Sequence, residues 1–291
     1  MKSLKKHFKL DGSKKNKQPL AKLLCGLALL AVPLCTACGQ KKVDVQKVLE
    51  KGNYKAKDLM VAVPGQNFSI LATEVTQELY ESVTGENPSY FKGEKNLPVE
   101  YVSWVDAVSF CNKLSEKEGL KPCYSYKGNT NAAQWDLDNY EMIDWSENRW
   151  EIFSWDFACD TAANGYRLPT IEEWQYAAKG GQEFKYSGSD NIDEVAWYDD
   201  NSENKTHPVA QKAPNGYGLY DMSGNVQEWC EDLDGDLYDN GSNYYEYRCS
   251  SGCGCWADDA NYCEVGDERW LHASCAGGYL GFRIVRTVRK K

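Results

Sequence analysis

Several scarcities bound what this chain does. Basic side chains are outnumbered, 33 Lys and Arg against 43 Asp and Glu, for a formal net charge of -10 over 291 residues. A nucleic-acid binder needs a basic face for phosphate, so that class is excluded. Long apolar runs are lacking: the one hydrophobic stretch, Leu23 to Leu34, is too short to cross a bilayer, and this excludes an integral membrane protein. Only three His are present, and none is paired beside Cys249, Cys253 and Cys255, whose spacing matches no common zinc pattern. Internal repeats are missing too, which excludes solenoids and propellers.

Aromatics, in contrast, are plentiful. The 10 Trp, 19 Tyr and 8 Phe can fill a substantial core, so most of the chain is expected to be folded. The first 22 residues concentrate eight Lys ahead of the apolar run, which ends at Cys35-Thr36-Ala37-Cys38. A charged start, a short apolar core and small residues are the marks of a secretory signal. Thr36-Ala37 before Cys38 resembles a bacterial lipobox, with Cys35 standing where Leu is usual. Residues 1–37 are therefore read as a lipoprotein signal peptide and Cys38 as the lipidated first residue. The alternative is a plain signal cut at the same bond. Lipidation predicts a protein anchored to the outer surface or periplasmic face of a bacterial envelope. Removing Cys25, Cys35 and Cys38 from the 12 Cys leaves an odd number, so at least one thiol is free or pairs between molecules.

Residues 38–60 are polar and Lys-rich, and predict a tether. The folded domain is expected over 61–291, starting with strands at Val61–Val63 and Phe68–Ile70. Thr73–Tyr80 reads as a helix with Val75, Leu79 and Val83 on one face and Gly85 as its stop. Ser103 caps a second helix carrying Ala107, Phe110, Cys111 and Leu114, and Thr170 with Glu173 forms a capping box for a third over Ile171–Lys179. Short strands are expected at Cys123–Tyr126 and Val195–Tyr198. Three helices among short strands and aromatic loops predict an α+β fold with small twisted antiparallel sheets, not βαβ units.

The stretch from about 249 to 286 is different. Gly252, Gly254, Trp256, Phe282 and Ile284 read as frame or core. Between them lie Ala257, Asp258, Asp259, Asn261, Tyr262, Asp267, Trp270, Leu271, His272, Ser274 and Tyr279, with neither helical nor strand periodicity. Mixed aromatics and short polar groups between ordered flanks point to a binding surface. Trp270, Tyr262 and Tyr279 are the expected anchors; Asp258, Asp259, Asn261, Asp267 and His272 are the expected polar contacts. The clusters Asp199-Asp200-Asn201 and Asp232, Asp234, Asp236 suit either calcium or turn chemistry.

Six motifs in order carry a resemblance: Thr73-Glu74-Val75-Thr76, Asn87-Pro88-Ser89, Pro98–Trp104, Tyr166–Trp174, Gly218–Trp229 and Gly281-Phe282-Arg283. Together they resemble the formylglycine-generating-enzyme (sulfatase-modifying factor) family over about residues 60–288, which implies a C-type lectin fold. The family's enzymes bind copper through two cysteines five residues apart. Here Cys263 occupies the first position and Glu268 the second, and one thiolate beside a carboxylate makes a poor Cu(I) site. A second branch, the variable proteins of diversity-generating retroelements, resembles the frame Gly252-Cys253-Gly254-Cys255-Trp256, Ala260–Val265 and Gly281–Val285 more fully. That branch implies a monomeric, non-enzymatic surface receptor or adhesin whose terminal segment is rewritten at adenines to bind a protein or cell-surface ligand. The competing implication is a copper-dependent oxidase acting on sulfatase cysteines. The family also implies calcium as a structural cofactor, with Asn225, the Val226 carbonyl and Glu228 as ligands; no cofactor is required.

Lipidation is directly testable. Cys38→Ala is expected to abolish labelling by an alkyne palmitate analogue; retained label excludes Cys38 as the anchor.

Overall fold

The computed structural model describes residues 43–135, 137, 156–233, 247–252 and 254–288, the last strand before Cys253 and Leu233 by backbone alone. The signal peptide, Cys38, Asp234, Asp236 and Cys253 fall outside the described residues, as does the side chain of Cys249.

The folded region begins earlier than residue 61. Helix α1 (Val45–Lys51) is capped by Asp44, which accepts from the Lys47 amide at 3.3 Å. Val45, Ala56 and Leu59 are buried in the main core, and the Ala72 amide donates to the Leu59 carbonyl at 2.9 Å. Gln46 also reaches the Ala210 carbonyl, and Tyr54 meets Thr76. The tether expected through residue 60 is corrected here. Its Lys residues hid a sparse apolar pattern, and only a few inward positions are needed to dock so short a segment.

Strands β1 (Met60–Ala62) and β2 (Phe68–Leu71) pair as a hairpin. Helix α2 runs from Gln77 to Thr84 rather than from Thr73, because Thr76 is its cap, accepting from the Leu79 amide at 3.2 Å. Residues before it are extended: the Val75 amide donates to the Phe282 carbonyl at 2.9 Å. Helix α3 (Trp104–Lys117) starts at a capping box, Ser103 with Asp106. Its stripe Ala107, Phe110, Cys111 and Leu114 is buried as expected.

Strands β3 (Tyr124–Tyr126) and β4 (Phe157–Cys159) form a separate pair. After β5 (Tyr166–Arg167), the Thr170–Glu173 capping box opens α4 (Ile171–Lys179), and Gly180 closes it in a left-handed conformation. Helix α5 (Ile192–Val195) takes only the first residue of the strand expected over Val195–Tyr198; Ala196 is extended and Trp197 bridges Gly224 in parallel. Asn191 caps that turn, accepting from the Asp193 amide at 3.3 Å.

Strand β6 (Gln227–Leu233) pairs antiparallel with β7 (Tyr247–Gly252) and parallel with β9 (Leu280–Gly281). Strand β8 (Asp267–His272) covers the other edge of β7, giving the order β8-β7-β6-β9. Strand β10 (Val285–Thr287) inserts between β2 and β5, so the chain's last strand completes its first sheet in the order β1-β2-β10-β5. This is an α+β architecture of small, mainly antiparallel sheets.

The core joins these layers through aromatics. Tyr80 stacks on Phe110 at 5.2 Å, and Phe282 meets Phe110 edge-on at 5.3 Å. Each large buried indole has its N–H satisfied: Trp104 donates to Cys230 O, Trp229 to Val102 O and Trp174 to Glu228, at 3.0, 3.0 and 2.7 Å.

Because Leu59 is core rather than tether, Leu59→Ala is expected to lower the unfolding free energy by about 2–5 kcal/mol in urea denaturation. A loss under about 0.5 kcal/mol, as at a solvated surface position, would restore the tether reading.

Candidate functional site

The terminal segment is held at both flanks by one buried ion pair. Arg283, just after β9, sends Nε to Glu228 Oε2 at 2.6 Å and an Nη to Oε1 at 2.7 Å. Glu228 lies on β6, and neither side chain is exposed. The remaining Arg283 donors reach the carbonyls of Leu71, Tyr220 and Asp221 at 3.3, 3.0 and 3.3 Å. Next to the pair, Glu74 accepts from Asn225 Nδ2 at 2.7 Å and from the Val226 amide at 3.1 Å.

That geometry decides the calcium expectation. Both Glu228 oxygens already accept from the guanidinium, and Oε2 also takes the Trp174 indole. Asn225 Oδ1 accepts from the His207 amide at 3.0 Å. Asn225 Oδ1 and both Glu228 oxygens are thus already engaged by protein donors, a resident guanidinium among them, and that pair does not fit calcium. Of the acidic clusters, Asp232 accepts from the Ile171 amide at the start of α4, and Asn201 holds Tyr198, Asp193 and Ala196. These contacts support turn and cap roles. Among the described residues, no group of three or more His, Cys, Asp or Glu is placed to hold a metal ion.

Inside the clamp, the segment is more regular than its composition suggests. Asp267–His272 forms strand β8, and Ala260–Cys263 forms a single 3-10 turn. In β8, Glu268 and Trp270 are the more exposed positions, while Asp267, Arg269 and Leu271 turn inward. Two of the inward residues are charged, so hydrophobic alternation is invisible in the sequence. Gly254 closes the frame: its φ is +62°, and a Cβ there would lie 2.6 Å from Cys263 Sγ and 2.8 Å from Tyr262 O.

The expected contact residues divide in two. Ala257, Asp259, Asn261, Tyr262, Trp270 and Tyr279 are exposed, the three aromatics at 48%, 37% and 39%. Asp258 is corrected to a frame residue. It accepts from the Cys255 amide at 2.9 Å and from Gln227 at 3.3 Å, and forms an ion pair with Arg269 at 3.0 Å. Leu271 is half-buried against the main core. His272 is half-buried, with Nδ1 at 2.7 Å from Ser274 Oγ, and its pKa is lowered by burial, so it is neutral at physiological pH. Asp267 is half-buried as well. Trp256, expected in the core, is only partly covered; its indole donates to the Gly278 carbonyl at 2.7 Å.

Cys263 and Cys255 are buried, and both thiols are raised: Cys263 to about 12, by burial first and then by the Asp258 charge. Cys255 is shifted the same way by the same two causes. Neither is a thiolate near neutrality, and metal binding or nucleophilic attack needs one. Glu268 faces away, accepting from Gln175 Nε2 at 2.8 Å.

Three residues on the same face escape a reading confined to the terminal segment. Phe91 meets Trp256 edge-on at 5.4 Å and Tyr90 at 5.1 Å, while Tyr101 lies 6.5 Å from Tyr90. The Tyr101 amide donates to the Gly277 carbonyl at 3.0 Å, tying it to the turn before Tyr279. Tyr90 at 72% and Tyr101 at 46% exposure are signals only a folded structure reveals. Arg269 is a further addition, stacking over Tyr262 at 4.6 Å.

Comparison with known proteins fits this geometry. A model of the sulfatase-modifying factor enzyme 1-like domain matches residues 40–288. Over 290 residues the chain is 37% identical to the chaperone protein LppX of Paenibacillus barcinonensis, covering 89% of this chain and 96% of that protein. The formylglycine-generating enzyme of Thermomonospora curvata is 37% identical over 83 residues, 23% of this chain and 27% of the enzyme. Among solved structures, Treponema denticola variable protein 1 matches with a TM-score of 0.65 and 35% identity, covering 79% of this chain and 91% of that one. The α+β fold is accordingly the C-type lectin fold that the motifs imply.

Burial perturbs one carboxylate of this face in a measurable way. Glu100, between α2 and α3, is raised to about 7 by burial, against the lowering effect of the Phe91 and Tyr90 amides and Lys92. A folded pKa above the unfolded one means that its stabilising contribution is complete at low pH and is lost as pH rises through 7. Relative to Glu100→Gln, the wild-type protein is therefore expected to lose stability between pH 5 and pH 8 in urea titrations. A pH-independent difference would contradict this.

Proposed function

The chain belongs to the sulfatase-modifying factor enzyme 1-like domain family, and from that membership we propose that it is a non-catalytic, ligand-binding lipoprotein of the bacterial envelope. Its terminal segment, about 249–286, is the displayed binding element, and its ligand is a protein or another cell-surface molecule. The observation carrying this reading is the exposure of Tyr262, Trp270 and Tyr279 on a frame clamped by Arg283 and Glu228. Large aromatics held on a rigid support bind at low entropic cost.

Further support comes from relatives. LppX is named a chaperone, and its name suggests a lipoprotein. Variable protein 1 of Treponema denticola gives the display reading a structural precedent over most of this chain. No helix among the described residues is long and apolar enough to cross a membrane, and anchoring through Cys38 accommodates that. Diversification of the segment by a retroelement is the finer part of the proposal. It requires a template repeat near the coding DNA that differs from the segment only at adenines, and a search of the locus without such a repeat removes it.

The competing reading, a copper-dependent oxidase, needs two thiolates. Cys263 has Glu268 at the paired position, and its own thiol is held protonated. Titration with Cu(I) and a cysteine-containing sulfatase peptide is expected to show neither tight binding nor oxygen-dependent turnover; turnover would sink the receptor proposal. On a captured protein ligand, Trp270→Ala is expected to weaken binding by about 2 kcal/mol, roughly thirtyfold, while Asp259→Ala costs under about 0.5 kcal/mol. Equal effects at both positions would remove Trp270 as an anchor.

A further inference from the structure

Three thiols outside the terminal segment converge around Tyr124: Cys111 on α3, Cys123 just before β3 and Cys159 on β4, all free in the structure. Each of them acts electrostatically on at least one other, so they form a cluster and not three isolated cysteines. Burial holds the Cys111 thiol well above its usual range, and Cys123 is the neighbour that adds most to that rise.

Hydrogen bonds decide which two of the three can join. Asn112, next to Cys111, grips the backbone of Tyr124, next to Cys123. Its Oδ1 accepts from the Tyr124 amide at 3.0 Å, and its Nδ2 donates to the Tyr124 carbonyl at 2.8 Å. A disulfide spans Cα atoms about 5.5–6 Å apart, and an Asn side chain with one hydrogen bond bridges a gap of that order. A second link lies beside the first. Ser115 Oγ, one turn after Cys111 on the same face of α3, donates to the Cys111 carbonyl at 2.7 Å and accepts from the Tyr166 amide at 2.8 Å. The Gly165 amide donates to the Cys123 thiol, and a Cβ on Gly165 would fall 2.6 Å from Ser115 Oγ. Cys111 and Cys123 thus reach one short stretch of backbone, Gly165-Tyr166, from two sides.

Cys159 is placed differently. It stands across from Tyr124 in the β3–β4 ladder, whereas Cys123 stands across from Asp160, whose amide donates to the Cys123 carbonyl at 2.7 Å. Successive side chains of a strand point to opposite faces, so Cys123 and Cys159 are turned to opposite sides of the ladder. Cys159 also keeps partial contact with solvent, while Cys111 and Cys123 are buried.

We propose that Cys111 and Cys123 are a disulfide pair linking α3 to β3, with Cys159 left as a thiol. The oxidant is a disulfide, such as oxidised glutathione. One cysteine thiolate attacks it, forming a mixed disulfide and expelling one thiolate. The second cysteine thiolate then attacks the protein sulfur of that mixed disulfide and expels the other. Two cysteine thiols are oxidised, one oxidant disulfide is reduced to two thiols, and the two cysteine protons pass to the leaving thiolates. Both sulfurs are buried in the folded domain, so the bond closes while the chain folds and is shielded from reductant afterwards. It also constrains the unfolded chain between α3 and β3.

The test refolds the full chain from urea in oxidised and reduced glutathione, blocks free thiols with iodoacetamide and digests with trypsin without reduction. Cleavage at Lys113, Lys117, Arg149 and Arg167 puts Cys111, Cys123 and Cys159 on different peptides, so mass spectrometry reads the pairing directly. The Cys111 and Cys123 peptides are expected to run as one species, lighter than their sum by two hydrogen atoms, with Cys159 alkylated. Cys159→Ser is expected to keep that link, and added reductant is expected to release the two peptides. Alkylation of both Cys111 and Cys123, or a link from either to any other cysteine, would overturn the pair. The receptor reading is untouched by that result, since it is judged on protein ligands and on Trp270.

Discussion

The ion pair between Arg283 and Glu228 is the constraint on which the molecule depends. A buried pair of this kind is no guarantee of net stability, because taking two charges out of water costs about as much as their attraction returns. Its value here is positional. Glu228 sits on β6 and Arg283 follows β9, so the pair fixes the two flanks from which the terminal segment emerges. The guanidinium also reaches carbonyls at Leu71, Tyr220 and Asp221, tying that frame to the first sheet and to the loop ahead of β6. Three acids, Glu74, Asp221 and Glu228, surround one Arg, and burial lifts Glu74 well above the ordinary carboxylate range, with repulsion from Asp221 and Glu228 adding to it.

A frame specified this way separates stability from recognition. The residues that close it, Gly254, Cys263, Asp258 and Arg283, have their side chains or their missing side chains committed to the interior. Tyr262, Trp270 and Tyr279 contribute far less to burial, so their replacement alters the surface while sparing most of the core. The half-buried Leu271 and Arg269 lie between these classes. Changes there touch both packing and display, and that coupling limits which substitutions the segment accepts.

How much of this could be read from the chain follows from the range of the interactions involved. Helices α3 and α4 were legible to the residue, because Ser103–Asp106 and Thr170–Glu173 are local capping boxes. The start of α2 was misplaced by four residues, since Val75 is fixed by Phe282, some two hundred positions away in the chain. Strand β8 was hidden because its inward positions Asp267 and Arg269 are charged, Arg269 pairing with Asp258. The Lys-rich residues before 60 looked like a spacer, although a few apolar side chains among them pack into the core. The exposed anchors of the terminal segment were readable as types. Tyr90, Phe91 and Tyr101 were not, because only the return of the chain at Gly277-Gly278 brings them to the same face.

That convergence bears on what the exposed face is made of. Here part of it comes from the loops at 87–91 and 98–102, which pack against the frame through Trp256 and Gly278. These loops carry a fixed aromatic rim and one unsatisfied carboxylate oxygen. Interface energy concentrates in a few central, desolvated groups while the periphery mainly excludes water. The exposed aromatics of the loops and of the terminal segment therefore form one surface from distant parts of the chain, so a substitution at Tyr90 or Tyr101 alters that face as directly as one at Trp270.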